Sequence, residues 1–114
     1  MITVSTIIDQ TRDILNDTTA GSYRWSDALL ISYVDLGVVD IRNRRPDTRL
    51  DEYGDILDYT AVDELADTID LEDKWIEPLV NYTCRKAFEL DADATGNMNR
   101  VQYHTSLYEA GLMK

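Results

Sequence analysis

One stretch, Arg24 to Asp47 (RWSDALLISYVDLGVVDIRNRRPD), constrains the fold more than any other because it holds the start, the buried stripe and the stop of one long helix. Ser26 is an N-cap residue whose hydroxyl accepts a hydrogen bond from an amide of the first turn that the helix itself leaves unpaired. Trp25 before it and Leu30 after it have the spacing of a hydrophobic staple, and Asp27 puts an acid at the positive end of the helix dipole. Leu30, Tyr33, Val34, Gly37, Val38 and Ile41 recur at three- and four-residue steps, which gives one apolar face with a glycine where a neighbour can come close. Arg42, Arg44 and Arg45 suit the negative end, and Pro46 stops the helix. The pattern predicts a central helix from Asp27 to about Arg45.

Three more helices are expected around it. Val4, Ile7, Ile8, Thr11, Ile14 and Leu15 repeat with helical period while Asp9, Gln10, Arg12 and Asp13 cover the other side, so a first helix should run from about Val4 to Asn16, capped by Thr3 or Ser5. The short turn around Gly21 lets it pack against the central helix as a hairpin. Ile76, Leu79, Val80, Thr83, Ala87 and Leu90 form the stripe of a third helix ending near Asp91, with Trp75, Tyr82 and Phe88 flanking it. Pro78 is tolerated only in an opening turn, so this helix starts near Ile76 or is entered through a short turn at Asp73 to Trp75. A fourth, from Asn97 to about Gly111, places Met98, Val101, His104, Thr105, Tyr108 and Leu112 on or near one face. The expected fold is mainly α: a small four-helix bundle of two helical hairpins in a single domain spanning 1–114, with an acidic loop or short β-arm inserted at about 47–71 between helices 2 and 3. Lone hairpins are marginal in water, so such an arm would want a partner surface.

Composition bounds what this bundle can do. A chain of 114 residues buries roughly two-thirds of the surface its unfolded form exposes. The single cysteine, Cys84, excludes an internal disulfide framework and a cysteine-rich zinc site. No apolar run approaches a membrane span, and MITVSTIIDQTRD is not built like a secretory signal, so the protein is expected to be soluble and to begin at its natural Met1. Between Asp47 and Glu77 stand twelve acids against two bases, Arg49 and Lys74, and this segment carries nearly all of the net charge of -11. It reads either as a solvated acidic loop or as a surface that repels or mimics nucleic acid; binding to a phosphate backbone would need a basic patch instead.

No motif points to catalysis. Asp91, Asp93, Thr95, Gly96, Asn97, Asn99 and Gln102 fall on the ligand positions of an EF-hand loop, but Gln102 cannot supply the bidentate carboxylate of the last position, and a polar helix–turn–helix joint is the simpler reading. His104 in mid-helix is expected to pack and hydrogen-bond rather than to act as a base, and Cys84 to fill space. No Gly-rich phosphate loop, HExxH or GxSxG occurs, so an enzyme is not expected, and neither a metal nor another cofactor.

The order of features along the whole chain resembles that of the small head–tail connector (adaptor, or head-completion) proteins of tailed bacteriophages. The residues that carry it are Trp25, Ser26, Asp27 and Leu30 opening the central helix, Arg45, Pro46 and Asp47 ending it, Leu79, Tyr82, Arg85, Ala87 and Asp91 in the third helix, and Gly96, Asn97, His104 and Tyr108 in the fourth. The resemblance implies a virion structural protein that assembles as a ring, usually of twelve copies, beneath the portal protein at the head–tail junction. It would form the platform for tail proteins, either nozzle or tail tube, while genomic DNA passes through the channel without specific binding, and no membrane is involved. Made in the host bacterial cytoplasm, it would end in the virion. Under this reading Arg42, Arg44, Arg45 and Arg49 become candidates for contacts with acids of a neighbouring subunit or the portal, and Asp51, Glu52, Asp55, Asp58, Asp63, Glu64 and Asp67 become channel or interface acids. Leu107, Tyr108, Leu112 and Met113 are candidates for a chain end reaching into the portal, against the plainer alternative that they pack the fourth helix. The rival from another class is a small acidic DNA mimic that inhibits a DNA-binding protein; a calcium-binding protein ranks third.

Overall fold

The computed structural model describes residues 2–17, 24–50, 53–56, 58–90 and 97–113. It is a mainly helical bundle of four helices with one small two-stranded sheet: β1 (Ile2–Thr3), α1 (Val4–Leu15), α2 (Asp27–Arg44), β2 (Thr68–Ile69), α3 (Ile76–Leu90) and α4 (Asn97–Leu112). Short 3-10 turns at Pro46–Arg49 and Asp73–Trp75 follow α2 and lead into α3. The body is elongated and flat, with extents of 47 × 29 × 17 Å.

The sequence signals of α2 hold. The Ser26 hydroxyl accepts from the Leu29 amide at 3.2 Å, Asp27 lies in the first turn, and Leu30, Ile31, Val34, Gly37, Val38 and Ile41 are buried. Gly37 is required by close packing: a Cβ there would stand 2.9 Å from Tyr82 Cδ1 and 3.2 Å from Leu79 Cδ2 of α3. Trp25 does more than staple its own helix, since its Nε1 donates to the Ala87 carbonyl at 3.2 Å and so ties the start of α2 to the end of α3.

The helix at the centre is α3 rather than α2. It packs against each of the other three helices, and Pro78 to Cys84 are buried without a break, followed by Ala87 and Phe88. Its stripe also shifts, because Leu90 is exposed while the flanking Tyr82 and Phe88 are core. Two buried polar side chains inside it are matched: Thr83 Oγ1 donates back to the Leu79 carbonyl at 2.8 Å, and Asn81 Oδ1 meets His104 Nδ1 of α4 at 2.9 Å. His104 is buried and stacked on Phe88 at 5.7 Å, the packing and hydrogen-bonding role its position suggested; burial lowers its pKa.

At α1 three expectations are corrected. Ile14 is exposed, and Arg12, assigned to the outer face, is buried. No side chain caps the start; the amides of Val4 and Ser5 donate instead to the carbonyls of Asp67 at 2.9 Å and Leu65 at 3.0 Å. The end is a left-handed Asn16 (φ 56°), with the Asp17 amide donating to the Arg12 carbonyl, a C-cap that satisfies the last turn.

The segment between α2 and α3 is largely irregular. Its strand β2 pairs with the chain start, Ile2 with Ile69 and Thr3 with Thr68 in antiparallel register, so the sheet joins the insert to the N-terminus rather than forming an arm on its own. Within the insert, Leu50 and Ile56 form a single antiparallel bridge across a turn at Gly54, whose φ of 83° suits glycine. Val62, Ile69 and Leu71 are buried and anchor the remainder to the bundle.

Candidate interaction surfaces

The helices define two poles. At one, α1 and α3 end while α2 and α4 begin; at the other, α2 and α4 end and the acidic insert departs. The arginine and C-terminal candidates lie at the second pole, and the structure brings them together.

All four arginines there have partners inside the chain. Arg44 Nη1 donates to both Glu109 oxygens at 2.6 and 2.8 Å, and its Nε lies 3.4 Å from Asp40 Oδ2. The hydrogen bond to Glu109 is the first cause of a raised Arg44 pKa. Arg45 forks onto Asp47 at 3.1 Å through both Nε and Nη2, donates to the Leu112 carbonyl, and lies over the Trp75 ring. The Asp47 carboxyl is held below its ordinary pKa, first by that hydrogen bond. Arg49 donates to the Arg42 carbonyl at 2.7 Å and to Asn43 Oδ1 at 2.8 Å, and Arg42 lies over the Tyr59 ring at 5.4 Å.

The chain end divides between core and surface. Tyr108 is fully buried, edge-on to Tyr82 at 5.2 Å, and donates to Asp40 Oδ2 at 2.5 Å; burial and that bond raise its pKa. Leu112 is also core. Leu107 is half-buried and helps to line a recess of about 100 Å³ with Lys74, Glu77, Pro78, Ala110 and Gly111, while Met113 is 87% exposed.

Among the acids, Asp51 and Glu52 lie outside the described residues. Asp55, Asp58, Asp63 and Glu64 are exposed on non-helical backbone. Asp67 closes a turn: its Oδ2 accepts from the amides of Asp63 at 2.9 Å and Glu64 at 3.1 Å, and these bonds lower its pKa. Asp35 on α2 pins this strip, accepting from the Tyr59 hydroxyl and from the Val62 amide at 3.0 Å. At the Leu50–Ile56 bridge, Tyr53 is 82% and Ile56 76% exposed.

At the opposite pole is a polar recess of about 250 Å³ lined by Leu15, Asn16, Asp17, Arg24, Trp25, Phe88 and Arg100. Arg24 lies over the Trp25 ring at 5.2 Å and Arg100 over Phe88 at 5.5 Å, which fixes two exposed cations on its wall. Beneath it, Arg12 donates to Asp17 Oδ2 at 2.8 Å and to Asp27 Oδ1 at 2.6 Å, and Asp17 in turn accepts from the amides of Arg24 at 2.8 Å and Trp25 at 3.2 Å. None of these residues stood out as a site in the sequence. Arg24 and Arg100 each adjoin or oppose an aromatic in space, but the pairing of Arg100 with Phe88 crosses two helices.

Cys84 is fully buried and burial pushes its thiol pKa up to about 12, which makes it a packing residue rather than a nucleophile. Most of the EF-hand-like positions, Asp91 to Gly96, lie outside the described residues. Among the described residues no cluster of His, Cys, Asp or Glu could hold a metal, and no helix is long and apolar enough to cross a membrane. No family model, curated protein or solved structure matches this chain.

Proposed function

We propose that this protein is a structural assembly subunit, a head–tail adaptor that forms a ring under a phage portal and presents a platform to the tail. The observation that carries the reading is the exposure of Tyr53 and Ile56 on the acidic segment that follows α2. Large apolar groups exposed close together in such a segment favour an interaction surface over a solvated loop. The helical fold and the order of the Trp25–Leu30, Arg45–Asp47 and Leu79–Asp91 features along the chain support the same reading. Its partners are a portal protein, tail proteins and further copies of itself, with twelve copies in the ring, and its place is the virion.

In this role the exposed carboxylates Asp55, Asp58, Asp63 and Glu64 either repel DNA in the channel or meet bases on a neighbour. The DNA-mimic alternative draws on the same acids, but an irregular strip lacks the regular phosphate-like spacing that helical acids would provide. Electron microscopy of the protein mixed with the portal ring of the virus that encodes it, beside each component alone, tests the reading. Added density forming a ring on the tail-facing end is the expected result. No association across a range of salt concentrations would overturn it, and retention of a host DNA-binding protein on the immobilised chain at low salt would then favour the mimic.

A further inference from the structure

The last helix differs from the rest of the surface in charge. From Val101 to Met113 the sequence VQYHTSLYEAGLM holds one acid and no Lys or Arg, in a chain whose net charge is -11. That acid, Glu109, is taken up by Arg44, and His104 is buried. While α4 packs along α3, Tyr103, Leu107 and Ala110 recur beside the packed residues at four- and three-residue steps and form an outer stripe. Tyr103 is 61% exposed, Leu107 half-buried and Ala110 exposed. Toward the chain end this stripe runs into the recess of about 100 Å³ beside Pro78. Gly111 lets α4 close onto that proline, since a Cβ there would stand 2.8 Å from Pro78 Cγ. Large apolar side chains with few charges around them are what the centre of a protein interface requires.

Two features select a second copy of the chain as the occupant. The stripe is its own complement: Tyr103 and Gly111 lie eight residues, about 12 Å, apart with Leu107 midway. An antiparallel copy crossing at Leu107 therefore sets each tyrosine ring against the other's recess and the two leucines against each other. Charge points the same way, because chains of -11 repel and meet at least cost through the face poorest in charge.

We propose that this face pairs two copies about a two-fold axis at Leu107, with Tyr103 of each entering the Pro78–Gly111 recess of the other. Such an isologous contact closes at two copies. The stripe is about two helical turns long, smaller than an ordinary stable interface, so the pair is weak and depends on concentration. Its members face opposite ways, unlike neighbours in a ring, so pairing belongs to the free chain and does not depend on the adaptor reading.

Sedimentation velocity of the full chain over a wide range of concentration is expected to show a monomer–dimer equilibrium. Raising salt should favour the dimer, because screening removes the repulsion while the contact itself holds no ion pair. Tyr103→Lys and Ala110→Glu should each weaken pairing at least tenfold. Mixing the two variants should restore it at low salt, since the new ammonium of one copy then faces the new carboxylate of the other and the second half of the contact stays native. Both positions are exposed, and unchanged circular dichroism melts would show that each variant keeps its fold.

A parent chain that stays monomeric at every concentration and salt overturns the inference. So does assembly past the dimer, a dimer indifferent to both variants, or a mixture that fails to pair. A monomeric parent whose binding to the portal ring is lost with Ala110→Glu would give this face to the portal and overturn the pairing alone, whereas a dimer without portal association would sink the adaptor reading alone.

Discussion

Each pole of the bundle is tied by an arginine held between two carboxylates from different parts of the chain, yet the two ties differ in burial. Arg12, with Asp17 and Asp27, has a side chain only 5% exposed, whereas Arg44, with Asp40 and Glu109, is 45% exposed. The same chemistry therefore does two jobs. The buried clasp cannot lose a member without stranding a charge in low dielectric, and it also positions the amides that open α2. The exposed one can exchange partners with water, with salt or with another protein at small cost.

The largest effect should come from Arg12→Ala, which leaves the buried Asp17 carboxylate with its two amide donors but without its cation and should lower stability by about 3–5 kcal/mol. Against a total of about 5–15 kcal/mol for a domain of ordinary stability, urea unfolding followed by circular dichroism would show a large drop in midpoint. An unchanged midpoint would erase the contrast between the poles. Next is Tyr108→Phe, which removes the one fully buried donor to the exposed cluster; a loss of about 1–2 kcal/mol is expected, and a smaller one would mean that Asp40 is satisfied by Arg44 alone. Arg44→Ala should cost less than about 1 kcal/mol, and the difference from the parent should vanish near 1 M salt, where screening is nearly complete. The smallest effect belongs to the turn bridged by Leu50 and Ile56: Tyr53→Ser with Ile56→Ser should leave the unfolding free energy within about 0.5 kcal/mol, since neither side chain is part of the core. A larger loss would make this turn structural.

How far the sequence reveals this molecule depends on whether its signals are local. The helix α2 is legible because Ser26, Asp27 and Pro46 mark its limits and its apolar stripe has no polar interruption. The helix α3 is legible as a helix but not as the centre, since Asn81, Thr83 and Cys84 look like surface or neutral residues until their partners on the chain are known. Arg12 misleads for the same reason: periodicity places a cation outside, and acids such as Asp17 and Asp27, the latter across a turn, allow it inside. The pairing of Ile2–Thr3 with Thr68–Ile69 is two residues long and distant in sequence, so no pattern announces it. For the candidate surfaces, the arginine cluster and the exposed Met113 are readable as positions, whereas the recess exists only where four helix ends converge.

The carbonyls of Leu65 and Asp67 that receive the first amides of α1 give the acidic insert a role in the order of folding. As the chain leaves the ribosome, the N-terminal helix emerges first but lacks its finished start, and β1 lacks its strand partner, until the insert has followed. The fold is thus closed by a late-made segment gripping an early-made one, and shortening the insert at its second half would leave the bundle's oldest helix open at its beginning.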